Sequence, residues 1–338
     1  PPNRLNYSPL DGLVPPSPTT LDLQRYGDGL PDRLAGVGEM SARYTCEIPR
    51  AAFEGNAPPA RAALYGHGLL QGRIALTYDH PGGRSELARN YNTMFCALDW
   101  FGFAQGDLPN ILLTLLDLSN FGIVPDASQQ GMLNWMFLAR AMLHPDGFAS
   151  HPAFRQGGSP QAGAAFDRSD VFYYGNSQGG ILPGPVQAVS PDINRGVYGV
   201  PGMNYSLLLR RSKDFTLYSI PLYLAYPDEL DRNLAFALIQ MLWDRGENSG
   251  FAAYLTERDK AVDGTQPNLS GTDNYVLLHT AFADQEVTHW SVDMMARTMG
   301  APVDDRDTLR YPGLNPDIAP YYDIPRLQFD AQGRAPGS

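Results

Sequence analysis

Apolar and polar positions change period several times along the chain, and each change marks an expected element. Residues 44–48 alternate as a partly exposed strand does, and 61–65 form a short apolar run ending in Gly66-His67-Gly68, a strand that enters a tight loop. A further strand is expected at 93–98, closed by Asp99-Trp100. From 128 to 143 the residues Met132, Leu133, Met136, Phe137, Ala139, Ala141 and Met142 recur at helical spacing, and Pro145-Asp146-Gly147 stops that helix. Residues 149–168 read as loop. Residues 170–174 then read as a buried strand running straight into Gly175-Asn176-Ser177-Gln178-Gly179-Gly180, and 197–200 as the next strand. Between 206 and 270 the pattern turns helical, at 234–243 and 251–256, with no clear strand. A strand returns at 274–281 and a helix at 290–299, closed by Gly300; residues 301–338 are loop-like, with several prolines.

This repeated order of strand, loop and helix predicts an α/β fold, a mostly parallel sheet with helices on both faces. The 338 residues read as one domain. Residues 1–40 form an extended lead-in, proline-rich at its start, and about 206–270 form a helical cap over the C-terminal edge of the sheet. Composition narrows the choice of partner. A net charge of −11 argues against nucleic acid, whose phosphates need a basic face. The longest apolar candidate, 111–118, is broken by Asp117 and falls far short of the roughly 20 residues a membrane span needs. Cys46 and Cys96 are either one disulfide, if the protein is exported, or two buried thiols. The expected location is extracytoplasmic or secreted, with any signal peptide absent from this sequence.

The chemistry is carried by two glycine-containing loops. Gly175-Asn176-Ser177-Gln178-Gly179 fits G-x-S-x-G, where small residues let a strand and a helix approach closely around a serine on a strained turn. A lone match to this pattern is weak. The apolar strand Val171-Phe172-Tyr173-Tyr174 before it, and residues able to start a helix after it, supply the context, although Pro183 and Pro185 shorten or kink that helix. The bland alternative is a glycine-rich turn with an incidental serine. A phosphate-binding loop is disfavoured, since no lysine follows Gly179-Gly180. Acyl transfer also needs two N–H donors converging on the oxyanion. Gln178, after the serine, offers one, and Leu69, in Tyr65-Gly66-His67-Gly68-Leu69-Leu70, offers the other.

Together these two segments resemble the bacterial lipases and esterases of the α/β-hydrolase superfamily, in which an H-G-L loop and an S-Q-G-G elbow occur in this order. The resemblance spans about residues 40–300 and is weak in 206–270. It implies cleavage of a small-molecule or lipid ester through an acyl-enzyme, with neither metal nor organic cofactor. Chain order in that superfamily places a triad acid in a loop after a late strand, which points to Asp284, with Glu286 as fallback; the competing role for Asp284 is to cap the helix that starts near His289. The triad histidine is where the chain departs from the pattern. His289 follows Asp284 by only five residues, and His279 falls mid-strand, as a packed core residue. His67 belongs to the oxyanion loop, while His80, His144 and His151 precede the elbow. Either His289 is a displaced base, or the base lies beyond Ser338. A chain without a base leaves the second function open, a binding protein on a hydrolase scaffold. Tyr218, Leu222, Tyr223, Leu224, Tyr226 and Phe236 are candidates for an acyl pocket, against a plain core role.

Overall fold

The computed structural model describes residues 41–78, 83–255, 269–304, 324–325 and 327–330. The lead-in 1–40, His80, residue 256 and most of the C-terminal tail lie outside them. Six strands, β1 (Tyr44–Glu47), β2 (Ala60–Gly66), β3 (Thr93–Leu98), β4 (Phe166–Asn176), β5 (Arg195–Gly199) and β6 (Tyr275–His279), form one sheet in the order β1-β3-β2-β4-β5-β6. Only the β1–β3 pair is antiparallel. The helices are α1 (Arg50–Phe53), α2 (Arg84–Tyr91), α3 (Leu108–Leu116), α4 (Ile123–Leu143), α5 (Gln178–Ile181), α6 (Pro183–Val189), α7 (Tyr205–Arg211), α8 (Phe215–Ala225), α9 (Glu229–Trp243) and α10 (His289–Met299).

β2 and β3 are central strands because nearly every side chain is apolar or small, the continuous pattern of a strand covered on both faces. β4 continues the sheet by pairing in parallel with β2, Tyr65 opposite Tyr174 and Gly66 opposite Gly175. The helical layer beneath is anchored by α4, whose Trp135, Leu138, Ala139 and Met142 are buried. Trp135 lies 4.7 Å from Trp100 and 6.1 Å from Tyr173, ring centre to ring centre. This crossover order, the antiparallel first strand and a strand–serine–helix turn at the end of the central β4 make the α/β-hydrolase fold. Cys46 and Cys96 are disulfide-bonded, and they sit directly opposite each other in the β1–β3 register.

Several expectations need correction. α4 begins at Ile123, five residues before the expected start, because Pro125 falls in the first turn, where its missing N–H has no intrahelical partner to lose. α9 likewise starts early, at Glu229, where the Asp228 carboxylate accepts the Leu230 and Asp231 N–H groups at 2.7 and 3.2 Å. The expected helix at 251–256 is a short 3-10 turn, Ala252–Tyr254. His279 is the last residue of β6 and is exposed, not a packed core residue. The helices α2, α3, α7 and α8 were not read from the sequence. α8 is apolar on nearly all sides and so lacks the one-sided period, and it carries Pro221 in its interior; α3 is only nine residues long.

Candidate active site

At the C-terminal ends of β2, β4, β5 and β6 the chain leaves the sheet in four neighbouring loops, the position where open α/β sheets bind ligands. Backbone strain concentrates there. Leu70, Ser177, Val200, Asn204 and Ala283 all have positive φ; among the described residues only one other non-glycine, Asn92, shares this. Ser177 itself sits at φ 56°, ψ −120° between β4 and α5. Such conformations cost of order 1–3 kcal/mol each and persist only where the surroundings enforce them. At the elbow the enforcement is visible: Ser177 N–H donates to Gly199 O at 3.0 Å, and its carbonyl accepts the Gly180 and Ile181 N–H groups at 2.7 and 3.1 Å. Asn248, buried, donates from Nδ2 to Gly180 O and Gly202 O and accepts from Gly184 N–H, so it staples the start of α6 and the turn after β5 to the elbow.

The loop after β2 is held as firmly. His67 is fully buried, and both ring nitrogens are used: Nδ1 donates to Gly68 O at 2.8 Å, and Nε2 accepts the Trp100 N–H at 2.8 Å. That pattern requires a neutral ring, and burial lowers the His67 pKa in the same direction. Leu70 N–H donates to Phe103 O at 3.1 Å and Gly68 N–H to the Gln71 side chain at 3.3 Å. Arg73 closes the loop against Asp99 with an ion pair of 2.8 Å. Between these anchored neighbours, Leu69 N–H makes no hydrogen bond among the described residues, nor does Gln178 N–H.

Leu69, Ser177 and Gln178 line one cavity. Its wall is otherwise almost wholly apolar, with Phe103, Ile111, Leu115 and Phe121 from the α3 side and Leu208, Phe215, Tyr218 and Trp243 from α7–α9. Of the six residues considered for an acyl pocket, Tyr218 lines it. Leu222 and Phe236 are buried core, Tyr226 is half-buried, and Tyr223 and Leu224 are exposed. Polar groups on the wall besides the elbow are few: Thr114, Ser212, Asp214 and Glu286. Burial raises the Asp214 pKa, Lys213 opposes it, and the nearby Asp284 adds to it.

Asp284 occupies the expected loop after β6, but it borders a different hollow, shared with Lys213, His289 and Trp290. Its Oδ1 accepts the Glu286 and Val287 N–H groups at 2.7 and 2.9 Å. It therefore shapes its own turn and does not cap α10, whose N-cap is Thr288. The fallback acid, Glu286, does line the Ser177 cavity, whereas His289 does not. No histidine lines that cavity among the described residues. His289 packs its ring 5.1 Å from Phe282 and 5.6 Å from Trp290, and burial lowers its pKa. Sequence reasoning missed Tyr205, Trp243 and Glu247, whose placement around the elbow comes from long-range packing without any local motif. Among the described residues no group of three His, Cys, Asp or Glu is placed to hold a metal, and no helix is long and apolar enough to cross a membrane.

No protein-family model matches the chain, and no curated protein matches it either. Among solved structures it is similar to acetyl xylan esterase 1 from Thermoanaerobacterium sp. JW/SL YS485, at 14% identity over 76% of this chain and 78% of that one, with a TM-score of 0.40. It is also similar to the acetyl xylan esterase from Paenibacillus sp. R4, at 14% identity, 73% and 76% coverage and a TM-score of 0.36. A third similarity is to the Pyrococcus horikoshii acylaminoacyl peptidase, at 12% identity, 74% of this chain, 36% of that one and a TM-score of 0.33. The α/β-hydrolase fold rests on the strand order and the elbow, which stand without these similarities.

Proposed function

We propose that the chain is a serine hydrolase that cleaves carboxylic esters, an esterase or lipase, with Ser177 as nucleophile. The observation that carries this reading is the strained Ser177 opening into an apolar cavity beside two uncommitted backbone donors, Leu69 N–H and Gln178 N–H. Ser177 Oγ attacks the ester carbonyl, and the oxyanion that forms is held by those two amides. The tetrahedral intermediate collapses, the C–O bond to the alcohol breaks, and the alcohol leaves with a proton. Water then repeats the sequence on the acyl-enzyme and frees the acid. The apolar wall suits an apolar acyl group, and the share of it contributed by α7–α9 supports a role for 206–270 as a cap that sets substrate choice. Asp284 is the proposed triad acid, since it lies in the loop after β6. The Cys46–Cys96 disulfide supports an extracytoplasmic location, where such bonds persist.

Hydrolysis of p-nitrophenyl butyrate tests the reading: Ser177→Ala is expected to abolish turnover, and a fluorophosphonate is expected to label Ser177. His289→Ala then locates the base. A loss of roughly a thousand-fold or more places the proton transfer on His289, and a rate near that of the unaltered protein places it elsewhere. Among the described residues no histidine lines the cavity wall, which favours one other reading, a hydrolase-fold binding protein. Bound ester with the same background hydrolysis before and after Ser177→Ala would support that second reading.

A further inference from the structure

One buried hydrogen bond reaches the proposed oxyanion pocket from α7. Gln178 is 2% exposed, and its side-chain carbonyl accepts the hydroxyl of Tyr205, the first residue of α7. The Tyr205 ring lies between two others. It stacks on Phe103 with centroids 5.5 Å apart and planes within 2°, and on Trp243 at 4.5 Å and 14°. Phe103 is also the residue whose carbonyl pins Leu70 N–H, next to the Leu69 donor. A single side chain thus touches the residue that supplies one donor and the residue that anchors the loop supplying the other.

Tyr205 has little freedom of its own. Its N–H donates to Glu247 Oε1 at 2.9 Å, and the same oxygen accepts Gln240 Nε2 at 2.7 Å. Gln240 Oε1 in turn accepts Ser206 N–H at 2.9 Å, and Asn204 caps the helix by accepting Leu207 N–H at 3.0 Å. Burial holds the phenol pKa well above its ordinary value, so the hydroxyl remains a donor wherever the fold is stable. Gln178 follows a strained residue and opens a helix of only four residues; the peptide that carries its N–H is held at the Ser177 carbonyl by the Gly180 and Ile181 N–H groups, and the Tyr205 hydroxyl adds a hold on the Gln178 side chain. The anchored side chain fixes the Gln178 end of that peptide, as the two bonds to the Ser177 carbonyl fix the other end. An oxyanion donor is useful only at the right angle and distance.

We infer that Tyr205 is a positioning residue for the oxyanion pocket, holding the Gln178 peptide through its side chain so that the N–H faces the developing negative charge. The inference rests on the proposed ester hydrolysis. Tyr205→Phe removes the hydroxyl and keeps the stack. Its kcat on p-nitrophenyl butyrate is expected to fall about 10- to 100-fold, with KM changed by less than about threefold. Gln178→Asn retains the backbone donor but withdraws the amide from the hydroxyl. It is expected to show the same fall, and it carries the test if Tyr205→Phe does not fold. The double variant is expected to fall no further than either single, because both remove one interaction. An unchanged kcat, or losses that simply multiply, would overturn the inference. The backbone amide resonance of Gln178 in 15N-glutamine-labelled protein is expected to move in Tyr205→Phe, whether or not the protein turns over ester. If Ser177→Ala leaves the hydrolysis rate unaltered, the esterase reading fails by itself, and an unmoved Gln178 resonance is then what overturns the positioning role.

Discussion

Gly66, Gly175 and Gly179 meet where β2, β4 and the turn after Ser177 cross. A Cβ on Gly179 would fall 2.2 Å from the Gly66 carbonyl oxygen, and one on Gly175 would fall 2.2 Å from the Gly179 oxygen. Both obstacles are backbone, so neither can swing aside. The Tyr173 hydroxyl closes the crossing from the core side, donating to Gly179 O at 2.5 Å. Gly179→Ala is therefore expected to cost about 3 kcal/mol, read as a lower urea midpoint. Gly163→Ala, with nothing within 4 Å of its added methyl, is the control expected to be near neutral. An unshifted midpoint in Gly179→Ala would contradict the close approach. The glycines of this motif were legible as a pattern in the sequence, because the elbow demands them within five consecutive residues. Tyr205 was not, because a tyrosine opening a helix has no local signature of the residue it will meet 27 positions away.

At the scale of elements, β1 joins the sheet through β3 alone and is its antiparallel edge. The Cys46–Cys96 bond ties that edge down and closes a loop spanning 50 positions. Chain-entropy arguments put its contribution at about 4 kcal/mol for a loop of this size. Replacing both cysteines by alanine should lower the unfolding free energy by up to that amount, while reductant should have no further effect on the variant. A variant as stable as the disulfide-bonded protein, measured by urea unfolding, would show that the denatured chain is not constrained in this way. The strands were largely legible, since β2, β3 and the second half of β4 are apolar and bounded by turn residues, whereas the start of β4 at Phe166 falls in residues that read as loop because Asp167, Arg168 and Ser169 are polar and exposed. The helices that form the cavity were less so. α8 presents apolar residues on nearly every side, with Leu222 buried and Leu217 and Leu224 exposed, so periodicity cannot separate its two faces, and α3 is only nine residues long.

Across the whole molecule, the segment that follows α9 is wired into the elbow by buried polar groups, and this has a cost that varies with pH. Glu247 is fully buried, and burial raises its pKa from 4.5 to about 7, despite hydrogen bonds from Gln240 and Tyr205 that act the other way. A carboxyl whose pKa is higher in the folded than in the unfolded chain binds more protons when folded. Its effect on stability is thus most favourable below about pH 4.5 and is lost as pH rises through about 7. The loss amounts to roughly 3 kcal/mol. Glu247→Gln keeps both hydrogen-bonded partners within reach of an oxygen but cannot ionise. Its melting temperature, compared with that of the unaltered protein, is expected to gain steadily between pH 4.5 and 7.5; a constant difference across that range would remove Glu247 as the source.

The sequence by itself determined the α/β class, the central strands, the serine on its elbow and the loop that faces it, because each depends on residue types within a few positions of one another. It also placed Asp284 in the loop after the last described strand. The tertiary structure alone decided which of these share a cavity. Ser177, Leu69 and Gln178 do, while Asp284 and His289 border a separate hollow. It alone paired the cysteines, and it alone brought Tyr205, Glu247 and Asn248 around the elbow. Such contacts join residues tens of positions apart, and they are set by how helices pack across a sheet rather than by any pattern along the chain.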